Sequence, residues 1–167
     1  ILDTKYHFLN TAYTSNIICE VIEKICNIET KIKWPNDILI EENKISGVIS
    51  EIYKSNNNII ISTGLGVNIT TSPKVTDYVT THINEYNKNI DNIKFVYELL
   101  NEYLKNLHLL KNYSKSILDK YKLRLKFLSK NIKLKLDNNF VKQGIFYGLN
   151  EDGSIILKTN SIYENIY

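Results

Sequence analysis

The hydrophobic period of this chain changes three times, and that succession limits what it can fold into. Residues 11 to 27 read at helical period, with Ile17/Ile18, Val21/Ile22 and Ile25/Cys26 on one side and Glu20, Glu23 and Lys24 opposite. From Lys31 the period is two. Lys31-Ile32-Lys33-Trp34 alternates into the turn signal Pro35-Asn36-Asp37. Ile38-Leu39-Ile40 is a short strand and Glu41-Glu42-Asn43 a polar turn. Lys44 to Tyr53 alternates again, with Ile45, Gly47, Ile49, Glu51 and Tyr53 on one side. Beyond the turn Ser55-Asn56-Asn57-Asn58, the run Ile59 to Thr63 has the unbroken apolar character of a buried strand. It continues through Gly64-Leu65-Gly66-Val67-Asn68-Ile69. This reads as a strand meander, expected at the centre of a sheet.

Residues 70 to 92 are polar and irregular. Asp91 has the character of a helix N-cap, and a helix striped by Phe95, Leu99, Tyr103, Leu107 and Leu110 is expected from about residue 93 to 111. Ser114 or Ser116 caps a second helix to about residue 127. At Asn131 the period returns to two: Ile132 to Leu136, the turn Asp137-Asn138-Asn139, then Phe140 to Leu149. Asn150-Glu151-Asp152-Gly153 is a tight hairpin turn before Ser154 to Lys158, and residues 162 to 167 alternate once more. Short strands at this spacing suggest a small β-barrel. The expected architecture is α+β over residues 1–128, then a small β domain over 129–167, with the domain boundary near residue 128.

Composition excludes several classes. Lys+Arg is 21 and Asp+Glu 18, a net charge of +3, which is too mild to argue for nucleic acid by itself and disfavours reading the chain as a nucleic-acid module. Arg124 is the single arginine, so an anionic ligand must be met by Lys, backbone N–H groups or amides. Ile (26), Asn (22), Lys (20) and Tyr (12) have A/T-rich codons and together make up nearly half of the 167 residues. Asn clusters and scattered lysines are therefore discounted as functional signals. Cys19 and Cys26 lie two helical turns apart, beyond disulfide reach, and read as reduced thiols of a cytoplasmic protein. No stretch is long and apolar enough to span a membrane. The chain lacks Met and begins on Ile, from which a piece of a longer protein is expected.

The chemistry concentrates in Lys33-Trp34-Pro35-Asn36-Asp37 and the Lys44-Ile45-Ser46-Gly47-Val48-Ile49 run that follows, with Glu51. Two ammonium groups on adjacent strand ends converge readily on one phosphate or carboxylate. A neighbouring carboxylate orients a lysine or holds Mg²⁺ against phosphate. Gly47 lets a ligand or another backbone come close. The letters alone also fit solvated strand-edge lysines and an ordinary turn. Trp34 reads as core or hinge packing. His7, His82 and His108 lack metal-ligand spacing, and no P-loop or Gly-x-Ser-x-Gly is present. The Lys-rich stretch from Lys111 to Lys135 reads as a solvated face.

This segment resembles the biotin–protein ligase family, whose hallmark is Lys-Trp-Pro-Asn-Asp followed by Lys-x-x-Gly-x-Leu-x-Glu. Gly64-Leu65-Gly66-Val67-Asn68 is similar to the family's Gly-x-Gly-x-Asn, and the order and spacing of the pieces match over essentially the whole chain. The resemblance implies a mixed sheet with helices like the class II aminoacyl-tRNA synthetase core, present in part, followed by an SH3-like barrel. It implies ATP-dependent formation of biotinyl-5′-AMP and transfer of biotin to a lysine of a biotin carboxyl carrier domain of acetyl-CoA carboxylase. By position, Lys44 matches the catalytic lysine and Lys33 a phosphate-contacting lysine. Asp37 matches the carboxylate that positions a lysine and Mg²⁺. Asn36 and Asn68 would lie near the adenine or the metal-bound phosphate, and Gly47, Gly64 and Gly66 would let the nucleotide approach the backbone. Tyr78 stands where an aromatic stacks on adenine, in a loop that aligns loosely and where a structural tyrosine is the plainer reading.

The sequence departs from the family in having neither the Gly-Arg-Gly-Arg-x-Gly-Arg loop nor the preceding Ser-Thr dipeptide. In family order both precede the first helix. The isolated chain is therefore expected not to form biotinyl-AMP at an appreciable rate. Two further readings stand beside the main one: lipoate or octanoate transfer on the same scaffold, and a non-catalytic fragment that binds carrier domains.

Overall fold

Helix α1 (Leu2–Cys26) runs between a sheet on one side and the later helices on the other. The computed structural model describes residues 2–56, 58–112, 114–136 and 140–167. Residues Phe8 to Cys19 of α1 are buried without a break. The helix starts well before the residue 11 expected from the sequence, and its middle is enclosed on all sides. Three of its buried polar side chains are tied across to its neighbours. Asn16 Nδ2 donates to the Ile117 carbonyl (2.9 Å), Thr11 Oγ1 donates to Ser50 Oγ (3.0 Å), and Asn10 Nδ2 donates to Thr63 Oγ1.

The first sheet is an antiparallel meander in the order β1 (Thr30–Lys33), β2 (Asp37–Ile40), β3 (Asn43–Ser55), β4 (Asn58–Val67). The strands match the sequence reading, but the buried character expected of Ile59 to Thr63 does not hold. Strand β4 is the sheet's edge, and Ile59 and Ile60 are about half exposed. Helix α1 packs chiefly on β3 and covers little of β4, so an apolar run here reports an unpartnered face, not a core. Asn57, in the turn expected at residues 55 to 58, lies outside the described residues.

Asp91 caps α2 (Asn92–Asn106) as expected, its Oδ1 accepting from the Lys94 N–H at 2.8 Å. The single helix expected to residue 111 is interrupted. The backbone tightens at Leu107, whose N–H turns to the Leu104 carbonyl, and α3 (Leu109–Asn112) is a separate turn. Helix α4 (Ser114–Leu123) stops short of the expected residue 127, because the next residues leave it to run beside β1. The Ile32 N–H donates to the Arg124 carbonyl (2.8 Å) and the Lys126 N–H donates to the Ile32 carbonyl (3.0 Å).

The second sheet follows in the order β5 (Asn131–Lys135), β6 (Val141–Leu149), β7 (Ile155–Thr159), β8 (Ile162–Ile166), all antiparallel. The turn expected at Asp137-Asn138-Asn139 lies outside the described residues. At the Asn150–Gly153 hairpin, Gly153 has φ of +88° and its N–H reaches the Asn150 carbonyl. A Cβ on Gly153 would come 2.2 Å from the Phe8 ring, so only glycine fits both the turn and the helix against it. Among the described residues β5 and β8 have no partner on their outer sides, so this sheet is open and not the closed small barrel expected. One continuous set of buried side chains links it through Phe8, Phe146 and Ile155 to the core around α1.

Candidate functional site

The turn between β1 and β2 is held from three directions. Trp34 Nε1 donates to the Gly153 carbonyl (2.8 Å), the buried Tyr121 hydroxyl donates to the Pro35 carbonyl (2.6 Å), and Asn36 Nδ2 donates to the Val48 carbonyl (2.6 Å). The Val48 N–H returns a bond to the Asn36 carbonyl (3.1 Å). Trp34 therefore acts as the hinge packing expected of it, joining the turn to the second sheet. Asp37, the first residue of β2, leaves this turn with a fixed direction.

Strict alternation along β3 would put Lys44 on the face of Ser46 and Val48, away from Asp37. A β-bulge prevents that. Leu39 stands opposite Lys44 and Ile38 opposite Ser46, so Ile45 is the extra residue and the alternation slips by one. Lys44 thereby shares the face of Asp37 and Gly47, and Lys44 Nζ meets Asp37 Oδ1 at 2.5 Å, each side chain about one quarter exposed. The Lys44 backbone is fixed by a parallel bridge: its N–H donates to the Val79 carbonyl (2.9 Å) and its carbonyl accepts from the Thr81 N–H (3.0 Å). That bridge brings the Tyr78 ring within 5.2 Å of the Lys44 ammonium, a cation–π distance. Asn68 anchors the same segment, its Nδ2 donating to the Thr81 carbonyl (3.0 Å).

Beside the ion pair lies a cavity of about 590 Å³. Its floor is bare backbone. Gly47 stands directly opposite Gly66 in the β3–β4 register, and Gly64 opposite Ile49. A Cβ at Gly66 would touch nothing within 4 Å, and one at Gly64 only the Ile49 carbonyl at 3.9 Å. Packing within the chain does not require these positions to be glycine; their effect is to leave the hollow empty. Pro73, Tyr78 and Thr80 form the opposite wall, with Thr80 Oγ1 donating to the Pro73 carbonyl at 2.5 Å. Pro73 and Thr80 had no individual signal in the sequence, because they reach the cavity through the backbone bridge to Lys44. Ile49, exposed by 65%, continues the floor as an apolar shelf.

Of the nine residues singled out in the sequence, Asn36, Asp37, Lys44, Gly47, Gly64, Gly66, Asn68 and Tyr78 all line this cavity. Lys33 does not. It pairs in register with Asp37 but lines a neighbouring groove with Trp34, Phe127 and Leu134. The expected convergence of Lys33 and Lys44 on one anion thus rests on the register pairing of Lys33 with Asp37, while Trp34 beside it is tied to the Gly153 carbonyl. The amides of Asn36 and Asn68 are committed to main-chain carbonyls, which makes them builders of the cavity wall. Cys19 and Cys26 are free thiols of α1, and burial pushes Cys19 up to about 12. No described helix is long and apolar enough to cross a membrane.

Comparison with known proteins places this geometry among relatives. Residues 3–68 match the model of the biotin/lipoate A/B protein ligase family. The bifunctional ligase/repressor BirA of Bacillus subtilis (strain 168) is 26% identical over 163 residues, covering 90% of this chain and 48% of its own length. The chain thus spans about half the length of this curated relative. Among solved structures, the biotin protein ligase of Aquifex aeolicus superposes with a TM-score of 0.80 at 22% identity, over 98% of this chain and 73% of that one. The same enzyme in complex with biotin and ATP gives 0.77 at 23% identity, over 95% and 68%. At such identities the two structural likenesses speak for the fold.

Proposed function

We infer, from a chain whose residues 3–68 match the model of the biotin/lipoate A/B protein ligase family, that it carries the nucleotide-binding part of a biotin–protein ligase acting in the cytoplasm. The observation that carries this reading is the Lys44–Asp37 pair poised over a floor of bare glycine backbone. In the proposed first step an oxygen of the biotin carboxylate attacks the α-phosphorus of ATP. The new O–P bond forms as the bond to pyrophosphate breaks, giving biotinyl-5′-AMP. Both reactants are anions, so the site must offset charge where it gathers, and Lys44 is the cation placed to do so. The bare floor lets the nucleotide lie on the backbone, with Tyr78 available to stack on its base. In the second step the ε-amine of a carrier-domain lysine attacks the activated carbonyl. A C–N bond forms, AMP leaves, and the amine's proton passes to solvent.

Asp37 is the one carboxylate among the described lining residues. No group of three His, Cys, Asp or Glu side chains stands together among the described residues. An all-protein cage for Mg²⁺ does not fit, whereas binding through one carboxylate and the phosphate oxygens of a nucleotide does. Mg²⁺ held at Asp37 would supply further positive charge to the phosphates.

ATP–pyrophosphate exchange, run with biotin and with lipoate on the ligase carrying this chain, tests the reading. Exchange that depends on biotin is expected. Exchange with lipoate alone would move the assignment to the other branch of the same family model. The 167-residue chain by itself, with one arginine and no Gly-Arg-Gly-Arg run, is expected to yield no detectable biotinyl-AMP. Detection of that product by mass spectrometry from the purified chain would refute the point. Gly66→Val is expected to melt with the wild type, since nothing opposes a Cβ there. Its added carbons occupy the cavity, and we expect ATP binding by calorimetry to weaken about tenfold or more, in line with a ligand deprived of part of its seat.

A further inference from the structure

The chain-wide charge of +3 is an average, and one face departs from it. On the second sheet the residues that turn away from the core alternate with buried Phe146, Ile155 and Leu157. Register places Lys133 and Lys135 of β5, Ile145 of β6, Lys158 of β7 and Tyr163 of β8 on this outer face. Tyr147 joins them. Its ring meets that of Tyr163 edge to face, with centroids 5.0 Å apart, and Lys158 Nζ lies 5.9 Å from the one ring and 5.5 Å from the other. Both tyrosines are about half exposed. None of the outward positions of the four strands is Asp or Glu. The one acidic residue in these strands, Glu164, is paired in register with buried Leu157 and bonded to Lys142.

We propose that this face is a docking surface for single-stranded nucleic acid. The cations complement an anionic partner. An acidic protein would need only the lysines and would leave two exposed rings without a role. A single strand uses both: phosphates meet the ammonium groups, and unpaired bases stack on the tyrosines whatever their sequence. An open four-stranded antiparallel sheet with aromatics on different strands is a suitable platform for this. The proposal concerns the opposite sheet from the Lys44 cavity and does not depend on the ligase reading.

Fluorescence anisotropy of a labelled oligouridylate of roughly 12 nucleotides, titrated with the intact chain, tests it. Binding is expected at about 50 mM salt, with a log–log salt slope near −2 for three lysines each meeting one phosphate of a single strand. Tyr147→Ala and Tyr163→Ala are each expected to weaken binding about fivefold or more. Tyr147→Phe and Tyr163→Phe, which keep the rings, should restore it, and circular dichroism checks that all four variants fold. Absence of binding at low salt would overturn the proposal. So would affinity unchanged by loss of either ring, which is adhesion by charge alone. Equal affinity for labelled polyglutamate would give the face to acidic proteins instead.

Discussion

Lys44→Ala is expected to lower biotin-dependent ATP–pyrophosphate exchange by roughly 10²–10³-fold, the size of effect seen when one well-placed transition-state donor is removed. The argument is local. Lys44 supplies the one ammonium group among the described cavity-lining residues, and the bulge at Ile45 brings it onto the face of Asp37 and Gly47. Removing the amine leaves Asp37 without its partner and the phosphates without a counter-charge. Stability should hardly change. Each member of the pair is about one quarter exposed, and ion pairs so open to water contribute about 1 kcal/mol or less. The backbone bridge to Val79 and Thr81 uses no side-chain atom of Lys44 and survives the substitution. Lys44→Arg keeps the charge but swaps a compact ammonium for a broad planar fork, and it should recover only part of the rate. A melting temperature that falls in step with the exchange rate would make Lys44 a structural residue and end the catalytic assignment.

Most of the strand order could be read from the letters, because period-two patterning and turn residues act over short distances. Asp152-Gly153 called for a hairpin, and Gly153 does adopt a left-handed turn conformation. What stayed hidden depends on contacts distant in sequence. The middle of α1, Phe8 to Cys19, carries buried polar residues among the apolar ones because it is enclosed by elements far along the chain. The apolar letters of Ile59 to Ile61 cannot tell a central strand from an edge, since that is decided by what lies beyond β4. The bulge at Ile45 has the opposite lesson. Alternation alone puts Lys44 and Gly47 on opposite faces, and only the slipped register unites them. The anchor of Trp34 was hidden for a similar reason: its partner, the Gly153 carbonyl, lies far along the chain.

Arg124→Ala is expected to destabilise the fold by about 2–3 kcal/mol, somewhat below the cost of breaking a fully buried pair. Arg124 Nη1 lies 2.5 Å from Glu23 Oε1, with the two side chains only about one fifth to one quarter exposed. The same carboxylate also accepts from the Thr30 N–H (3.1 Å) and from Thr30 Oγ1 (2.7 Å). The cluster thus joins α1, the start of β1 and the segment after α4 that runs beside β1. Burial acts to raise the Glu23 carboxyl, but the bonds from Arg124 and Thr30 outweigh it and hold the group below its ordinary value of 4.5. A group depressed in the folded state adds stability that is present in full above 4.5 and is lost as the pH falls through the lower folded value. In Arg124→Ala burial of the carboxyl loses its main opponent, so the group titrates higher and its contribution shrinks or reverses. The gap in melting temperature between wild type and variant should therefore be widest near neutral pH and should narrow as Glu23 protonates in acid, where a neutral carboxyl no longer needs a guanidinium. Glu23→Gln should show a smaller loss and little of this pH dependence, since it keeps an acceptor for Thr30 and removes the titrating group. Thermal melts of the three proteins across the acid range decide the matter, and a gap that stays constant with pH would mean that Arg124 acts through packing of its side chain and not through the charge of Glu23.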